Sequence, residues 1–274
     1  MDLSAQKKLE KVRDLRPIDD VFFEVLARNP KVCQEILRVI LEDDLLVVND
    51  VVVQSDERNL YGRSVRLDAL CTLGNGVKCN IEVQRSNNDN HLKRARFNAA
   101  SITVIDSNPG DKFENVIELY IVYISEFDFL KKGKTIYHID KVLRETGDIV
   151  DDGLHEIFVN TVIDDNTDIA DLMACFTKKE VNNPKFPELS AEVKRLKETE
   201  GGAQAVCEVM QKYEEIAANK AVNNERLSAI QNLLRIGCEK AFILKLGYTE
   251  DEYHEAEKLI SATPKQTPQE IVLA

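Results

Sequence analysis

The chain has 274 residues, with 36 Lys and Arg against 48 Asp and Glu, a formal net charge of -12. Its 43% hydrophobic and 31% charged residues have the balance of a folded soluble protein, which excludes collagen-like and disordered classes. No apolar run of about 18 residues predicts a membrane span, and the overall charge argues against gripping nucleic acid through bulk positive surface.

The N-terminal segment MDLSAQKKLEKVRDLRP lacks the apolar core of a signal peptide. Apolar residues at helical spacing from Ile18 to Leu41 predict two helices divided at Asn29-Pro30, because the residue before a proline is pushed out of the helical region. Strands are expected over Leu45 to Val53, Ser64 to Leu73 and Val77 to Arg85. Asn87 to Asp106 predicts a helix with Leu92, Ala95, Ala99 and Ile102 as its apolar stripe. Further strands are expected over Val116 to Ile124, Thr135 to Val142 and Glu156 to Ile163.

After about Ala170 the chain changes character. A breaker cluster at Asn182, Asn183, Pro184 and Pro187 precedes a charged helical region. Helices are predicted over Ala191 to Glu200, Ala203 to Ala218 after a break at Gly201-Gly202, and Glu225 to Leu246. In the last of these Leu227, Ile230, Leu234 and Cys238 share a face. Gly247 stops it, Thr249 to Glu252 caps a final helix through about Ile260, and Pro264 to Ala274 is expected to be a loose tail. The division expected is a mixed α/β domain over residues 1–180 and a small acidic helical region over 188–274. Six dispersed cysteines without a C-x-x-C pair predict reduced thiols in a cytoplasmic protein. The four histidines have no metal-ligand spacing.

The chemistry concentrates in SVRLDALCTLGNGVKCNIEVQ, Ser64 to Gln84. Alternation puts Val65, Leu67, Ala69, Cys71 and Leu73 on one face with Val77, Cys79, Ile81 and Val83. Arg66, Asp68 and Thr72 then share the other face with Lys78, Asn80, Glu82 and Gln84. A three-residue loop at Gly74-Asn75-Gly76 pairs Leu73 with Val77 and sets Asp68 across from Glu82. Two facing carboxylates repel, and an oxygen-rich pair of this kind suits Mg²⁺ or Mn²⁺. The competing reading is a solvated hairpin face with Arg66 and Lys78 as compensating charges. Charge is unevenly spread: residues 57–98 carry eight basic and four acidic side chains (+4), residues 1–56 sum to -4 and residues 99–274 to -12. An acid pair in a basic window suits metal-assisted phosphodiester chemistry.

Asp68, Glu82 and Gln84, spaced D-x(13)-E-x-Q, resemble the PD-(D/E)XK nuclease superfamily, and specifically its nuclease family transposases, also called recombination-promoting nucleases. RPIDDVFFEVL resembles that family's opening helix, KRARFNAASI the helix after the E-x-Q strand, and VIELYIVYISEFDF, KGKTIYHI and HEIFVNT its later strands, over roughly the first 165 residues. The resemblance implies a restriction-endonuclease-like core, a mixed central β-sheet flanked by helices, with a C-terminal helical extension. It implies a Mg²⁺- or Mn²⁺-dependent DNA endonuclease with Asp68, Glu82 and the Val83 carbonyl as metal ligands, and Gln84 in the position of the superfamily lysine. Asp20 matches the family's helix aspartate, and Glu24 stands where a lysine is usual; either could join the metal. Arg66, Lys78, Arg85, Arg94 and Arg96 are the candidate DNA contacts, and cutting both strands would call for a homodimer. The alternative is a degenerate nuclease fold that binds nucleic acid or protein without cutting. The tail around LGYTEDE could mimic a helix-turn-helix, but its acids suit protein contacts better than a DNA groove.

Overall fold

The computed structural model describes residues 3–53, 56–57 and 65–262, with side chains for residues 9–53 and 67–261. Arg58, Arg63, Ser64 and the Pro264 to Ala274 tail lie outside the described residues, as does the side chain of Arg66. The chain opens with α1 (Leu3–Asp14), α2 (Asp20–Leu26) and α3 (Pro30–Ile40). Asn29 divides the last two as expected: its side chain accepts the Lys31 N–H at 3.1 Å, and Pro30 occupies the first helical turn. There follow β1 (Val48–Val53), β2 (Asp56–Glu57), β3 (Val65–Arg66), β4 (Ala69–Leu73), β5 (Lys78–Gln84), α4 (His91–Asp106), β6 (Leu119–Ser125), β7 (Ile136–Ile139), β8 (Lys141–Val142), β9 (Ile149–Val150) and β10 (Leu154–Asn160). The remaining elements are α5 (Asp168–Phe176), α6 (Pro187–Glu198), α7 (Glu200–Arg235), α8 (Lys240–Lys245) and α9 (Glu250–Ala262). Among the described residues no helix is long and apolar enough to cross a membrane.

Six strands form one mixed sheet in the order β1-β4-β5-β6-β10-β7. The β1/β4, β4/β5 and β10/β7 pairs are antiparallel, while β5/β6 and β6/β10 are parallel. On one face α4 sets Ala95, Ala99 and Ile102 against Leu119, Ile121, Tyr123 and Phe158. On the other, α2 contacts β5 and α3 contacts β1, with α5 and α6 against α3. A sheet covered on both sides makes its central strand an interior element, and five consecutive residues of β5 are buried.

Lys197 of α6 secures the outer layer. Its ammonium donates to the Arg13 carbonyl at 2.9 Å and to the carbonyls of Leu15 and Lys179, and lies 5.2 Å from the Phe22 ring centre. It thus neutralises the exposed carbonyl end of α1, although burial pulls its pKa down to about 8.

Several sequence expectations are corrected. The strand expected over Ser64 to Leu73 is interrupted at Leu67-Asp68. Leu67 belongs to the core under α4 and not to the opposite, Cys71-bearing face. Leu92 is 42% exposed and leaves the apolar stripe to Ala95, Ala99 and Ile102. Thr135 to Val142 divides into β7, in the main sheet, and β8, which pairs only with β9. Helices α1 and α5 are additions. Glu225 to Leu246 is not continuous, because Gly237 turns the chain at φ +83° between α7 and α8.

The chain divides into two compact units, Met1–Met210 and Gln211–Ala274. The second has its own small core of Leu227, Ile230, Ile243, Tyr253 and Ala256. Arg226 forks onto Glu252 at 2.5 and 3.0 Å. Thr249 and Glu252 exchange the reciprocal backbone bonds of a capping box, 3.2 and 2.7 Å.

Gly201-Gly202 does not break the helix. α7 runs through both glycines for 36 residues, and the interruption falls two residues before Gly201, where Thr199 is extended. The glycine at 202 serves a close approach instead: a Cβ there would lie 2.7 Å from Leu196 Cα and on the Arg195 carbonyl, whereas one at Gly201 would meet nothing. Gly201→Ala should therefore stabilise the protein by up to about 1 kcal/mol, and Gly202→Ala should destabilise it by roughly 1–3 kcal/mol despite the same gain in propensity. Denaturant midpoints of the two variants test this; a stabilised Gly202→Ala would refute the steric account.

Candidate active site

The loop Gly74-Asn75-Gly76 has the expected odd length. Gly76 supplies φ +87°, and the Leu73 N–H meets the Val77 carbonyl at 2.9 Å. The ladder then runs Thr72↔Lys78, Cys71↔Cys79, Leu70↔Asn80 and Ala69↔Ile81. One further step puts Asp68 across from Glu82, where β4 has ended. The freed backbone is satisfied by the carboxylates themselves: the Asp68 N–H donates to Glu82 Oε1 at 3.3 Å, and the Val83 N–H donates to Asp68 Oδ2 at 2.9 Å. In a strand the N–H and C=O of one residue point to the same side, so the Val83 carbonyl faces the two acids.

This is not a solvated hairpin face. Glu82 and Asn80 are each 0% exposed. Nor is Lys78 the compensating charge: it bonds Thr72 Oγ1 at 2.9 Å and lies 3.9 Å from Asp106, four strand residues or about 13 Å from Glu82. The compensating cation comes from α4. Arg94 reaches Glu82 Oε2 at 3.4 Å and Gln84 Oε1 at 2.8 Å, and Asn80 donates to Glu82 Oε1 at 3.0 Å. Burial, followed by the charge of Glu82, pushes Asp68 well above the usual carboxylate range, against the pull of the Val83 N–H. Burial also raises Glu82, opposed by Asn80 and Arg94.

The two acids of α2 separate. Asp20 is exposed at the start of the helix; its charge acts on Asp68, and partial desolvation by the neighbouring protein raises its own pKa against the pull of Arg94 and Arg85. Glu24 is 3% exposed and bonds Arg28 at 3.0 Å, and among the described residues its Oε2 has no hydrogen-bond partner. Among the described residues no three His, Cys, Asp or Glu side chains are gathered as a metal group. The protein therefore presents two carboxylates and a backbone carbonyl. That donor set fits Mg²⁺ or Mn²⁺, hard ions satisfied by one or two carboxylates with water and substrate oxygens completing the shell.

Around this pair are residues that sequence reading overlooks. Asp19 precedes α2 but does not cap it. Its carboxylate instead takes Arg85 at 2.9 Å and the Arg16 N–H at 2.6 Å, while Glu126 accepts from Arg85 at 3.4 Å and from the guanidinium of Arg16. Arg16 and Glu126 are 110 residues apart, and nothing in the local sequence pairs them. His91 Nδ1 lies 2.8 Å from the Tyr123 hydroxyl and its Nε2 3.0 Å from Asn87 Oδ1, and burial lowers the pKa of the imidazole. Arg96 is exposed on α4. A hollow of about 300 Å³ lies elsewhere, beside the stacked Tyr120 and His155, and takes in none of the expected site residues.

A sequence profile described as PD-(D/E)XK nuclease family transposase matches residues 19–166, more than half of the chain. The chain belongs to this family. The match begins at Asp19, takes in Asp68, Glu82 and Gln84, and ends after β10, and the mixed six-stranded sheet flanked by helices is consistent with the family's restriction-endonuclease-like fold. The family supports a nuclease- or transposase-like function for this chain. No significant match is found among curated proteins or solved structures.

The raised carboxyls carry a consequence for the metal-free protein. The folded state keeps the Asp68 proton to a higher pH than the unfolded chain does, so stability falls as pH rises from the ordinary carboxylate range through the raised value. Asp68→Asn keeps an acceptor for the Val83 N–H and removes the like charge. It should raise the metal-free melting midpoint at neutral pH by a few degrees, on the order of 2–4 °C per kcal/mol for a domain of this size, and flatten its acid-to-neutral decline. A lower midpoint at every pH would contradict the electrostatic reading.

Proposed function

We propose that this protein is a metal-dependent DNA endonuclease that hydrolyses phosphodiester bonds in a transposition or recombination setting. The observation that carries the proposal is the Asp68–Glu82 pair, Glu82 fully buried and Asp68 partly so, with the Val83 carbonyl turned toward it. Burying two like charges together is unfavourable unless a cation or a proton accompanies them. Asp68, Glu82 and the Val83 carbonyl would hold Mg²⁺ or Mn²⁺, with Asp20, whose charge acts on Asp68, the α2 acid placed to join them rather than Glu24, which is paired with Arg28. When bound, such an ion lowers the barrier by acidifying water and stabilising charge at phosphorus.

The chain's own groups supply position and charge. Gln84 orients the attacking water through its amide. Arg85, just beyond the end of β5, and Arg96, exposed on α4, border the acids and would draw the phosphate backbone to that border, while Arg94 is turned inward onto Glu82 and Gln84. Lys78 could touch DNA only farther along the sheet. The substrate is a strand laid over the β5 end, which needs no enclosed cavity. Cutting both strands with one site per chain would use two copies.

A second reading is a degenerate nuclease fold that binds without cutting. The absence of a lysine at position 84, and of a third gathered acid among the described residues, favours it. Plasmid nicking with Mg²⁺ or Mn²⁺ decides between the two. Wild type should nick, and Asp68→Ala and Glu82→Ala should each lower the rate by at least about 100-fold. Equal nicking by all three would remove Asp68 and Glu82 from the mechanism, and none by the wild type would leave the binding role.

A further inference from the structure

Gln84 is neutral, yet it stands where the nuclease superfamily carries a cation. In phosphodiester hydrolysis the water oxygen bonds to phosphorus and the bond from phosphorus to one sugar oxygen breaks. The water gives a proton to solvent, and the leaving oxygen takes one from solvent. Positive charge beside that water favours its loss of a proton. A glutamine cannot supply this alone.

The amide of Gln84 is held at both ends by partners whose roles are unambiguous. A guanidinium can only donate, so the atom 2.8 Å from Arg94 Nη1 is the amide oxygen. The Ser86 carbonyl can only accept, so the atom 3.0 Å from it is the amide nitrogen, which also lies 3.1 Å from Ser86 Oγ. Both amide hydrogens are thereby engaged, and one lone pair remains on Oε1. A water at Gln84 would donate a hydrogen to that lone pair and keep its own lone pair free for phosphorus, with the Arg94 charge alongside. Arg94 is itself placed by α4 and by its second nitrogen, 3.4 Å from Glu82 Oε2, and is only 35% exposed. Arg96, two residues on, is exposed and shows no such engagement.

We propose that Arg94 supplies from α4 the charge that a lysine at position 84 would carry, acting as a positioning residue through the Gln84 amide and not as a phosphate contact. The inference rests on the nuclease reading given above. It predicts a reciprocal relation: a lysine at position 84 is redundant or harmful while Arg94 is present and beneficial once Arg94 is gone.

The test compares wild type, Arg94→Gln, Gln84→Lys and the double variant. It measures kcat and KM for plasmid cleavage with Mg²⁺, affinity for a labelled duplex with Ca²⁺ in its place, and metal-free melting midpoints. Arg94→Gln should lower kcat by about 100-fold and leave KM and duplex affinity within roughly 3-fold. Gln84→Lys should give no gain in wild type and at least about 10-fold recovery in the Arg94→Gln background, with non-additive melting midpoints. If Arg94→Gln fails to fold, Arg94→Lys takes its place, keeping the charge on a shorter reach; it should lose kcat with unchanged duplex affinity. Loss of duplex affinity matching the loss in kcat/KM, or a double variant no faster than Arg94→Gln, would overturn the proposal. So would wild-type cleavage unaffected by Arg94→Gln, with the nuclease reading intact; no cleavage by wild type would instead refute that reading and this inference with it.

Discussion

The structure turns on two carboxylates forced together at the centre of a sheet. β5 lies between β4 and β6 with helices over both faces, so its residues from Cys79 to Val83 are removed from bulk water, while Gln84 at its C-terminal end is half-buried. The three-residue loop fixes the register, and one step past the last β4/β5 pair that register sets Glu82 across from Asp68 on the β4 side, with Tyr123 opposite on β6. The early end of β4 then matters. With the ladder gone, the backbone N–H groups of Asp68 and Val83 find their acceptors in the two carboxylates, which pins both side chains where a metal would need them.

Much of the surrounding chemistry follows from that constraint. A buried acid pair requires neutralising groups, and the chain supplies Arg94 and Asn80 on the Glu82 side and a peptide N–H on the Asp68 side. The next layer is an ionic network of Arg16, Asp19, Arg85 and Glu126. It ties the start of α2, which carries Asp20, to the ends of β5 and β6. Arg16, Asp19 and Glu126 are buried or partly so, though Arg85 is exposed, so losing a partner leaves an inner charge without compensation. Arginines that composition suggests as DNA contacts are thus also structural: Arg85 and Arg94 are both committed to carboxylates in the free protein.

How legible this was depended on the range of the interactions. The hairpin register, the Asn29-Pro30 division and the Thr249 to Glu252 cap were readable because each is set within a few residues. The acid pair at Asp68 and Glu82 was readable for the same reason, through alternation and loop length. Burial of Glu82 was not, since it depends on α4 and β6 arriving from later in the chain. Gly202 misled because a glycine needed for close packing looks like a breaker in sequence. Leu67 misled because alternation assumes an unbroken strand. The partnership of Arg16 with Glu126, and the attachment of Arg94 to Gln84, arise from tertiary placement and have no local signature.

The central claim is that Asp68, Glu82 and the Val83 carbonyl hold a divalent ion. A crystal of the protein soaked in Mn²⁺, examined by anomalous scattering, addresses it most directly. The account predicts one peak per chain with both carboxylates and the carbonyl at about 2.1 Å, the distance usual for a hard octahedral ion. Manganese bound elsewhere, or an empty pair with Arg94 still on Glu82 at saturating metal, would contradict it.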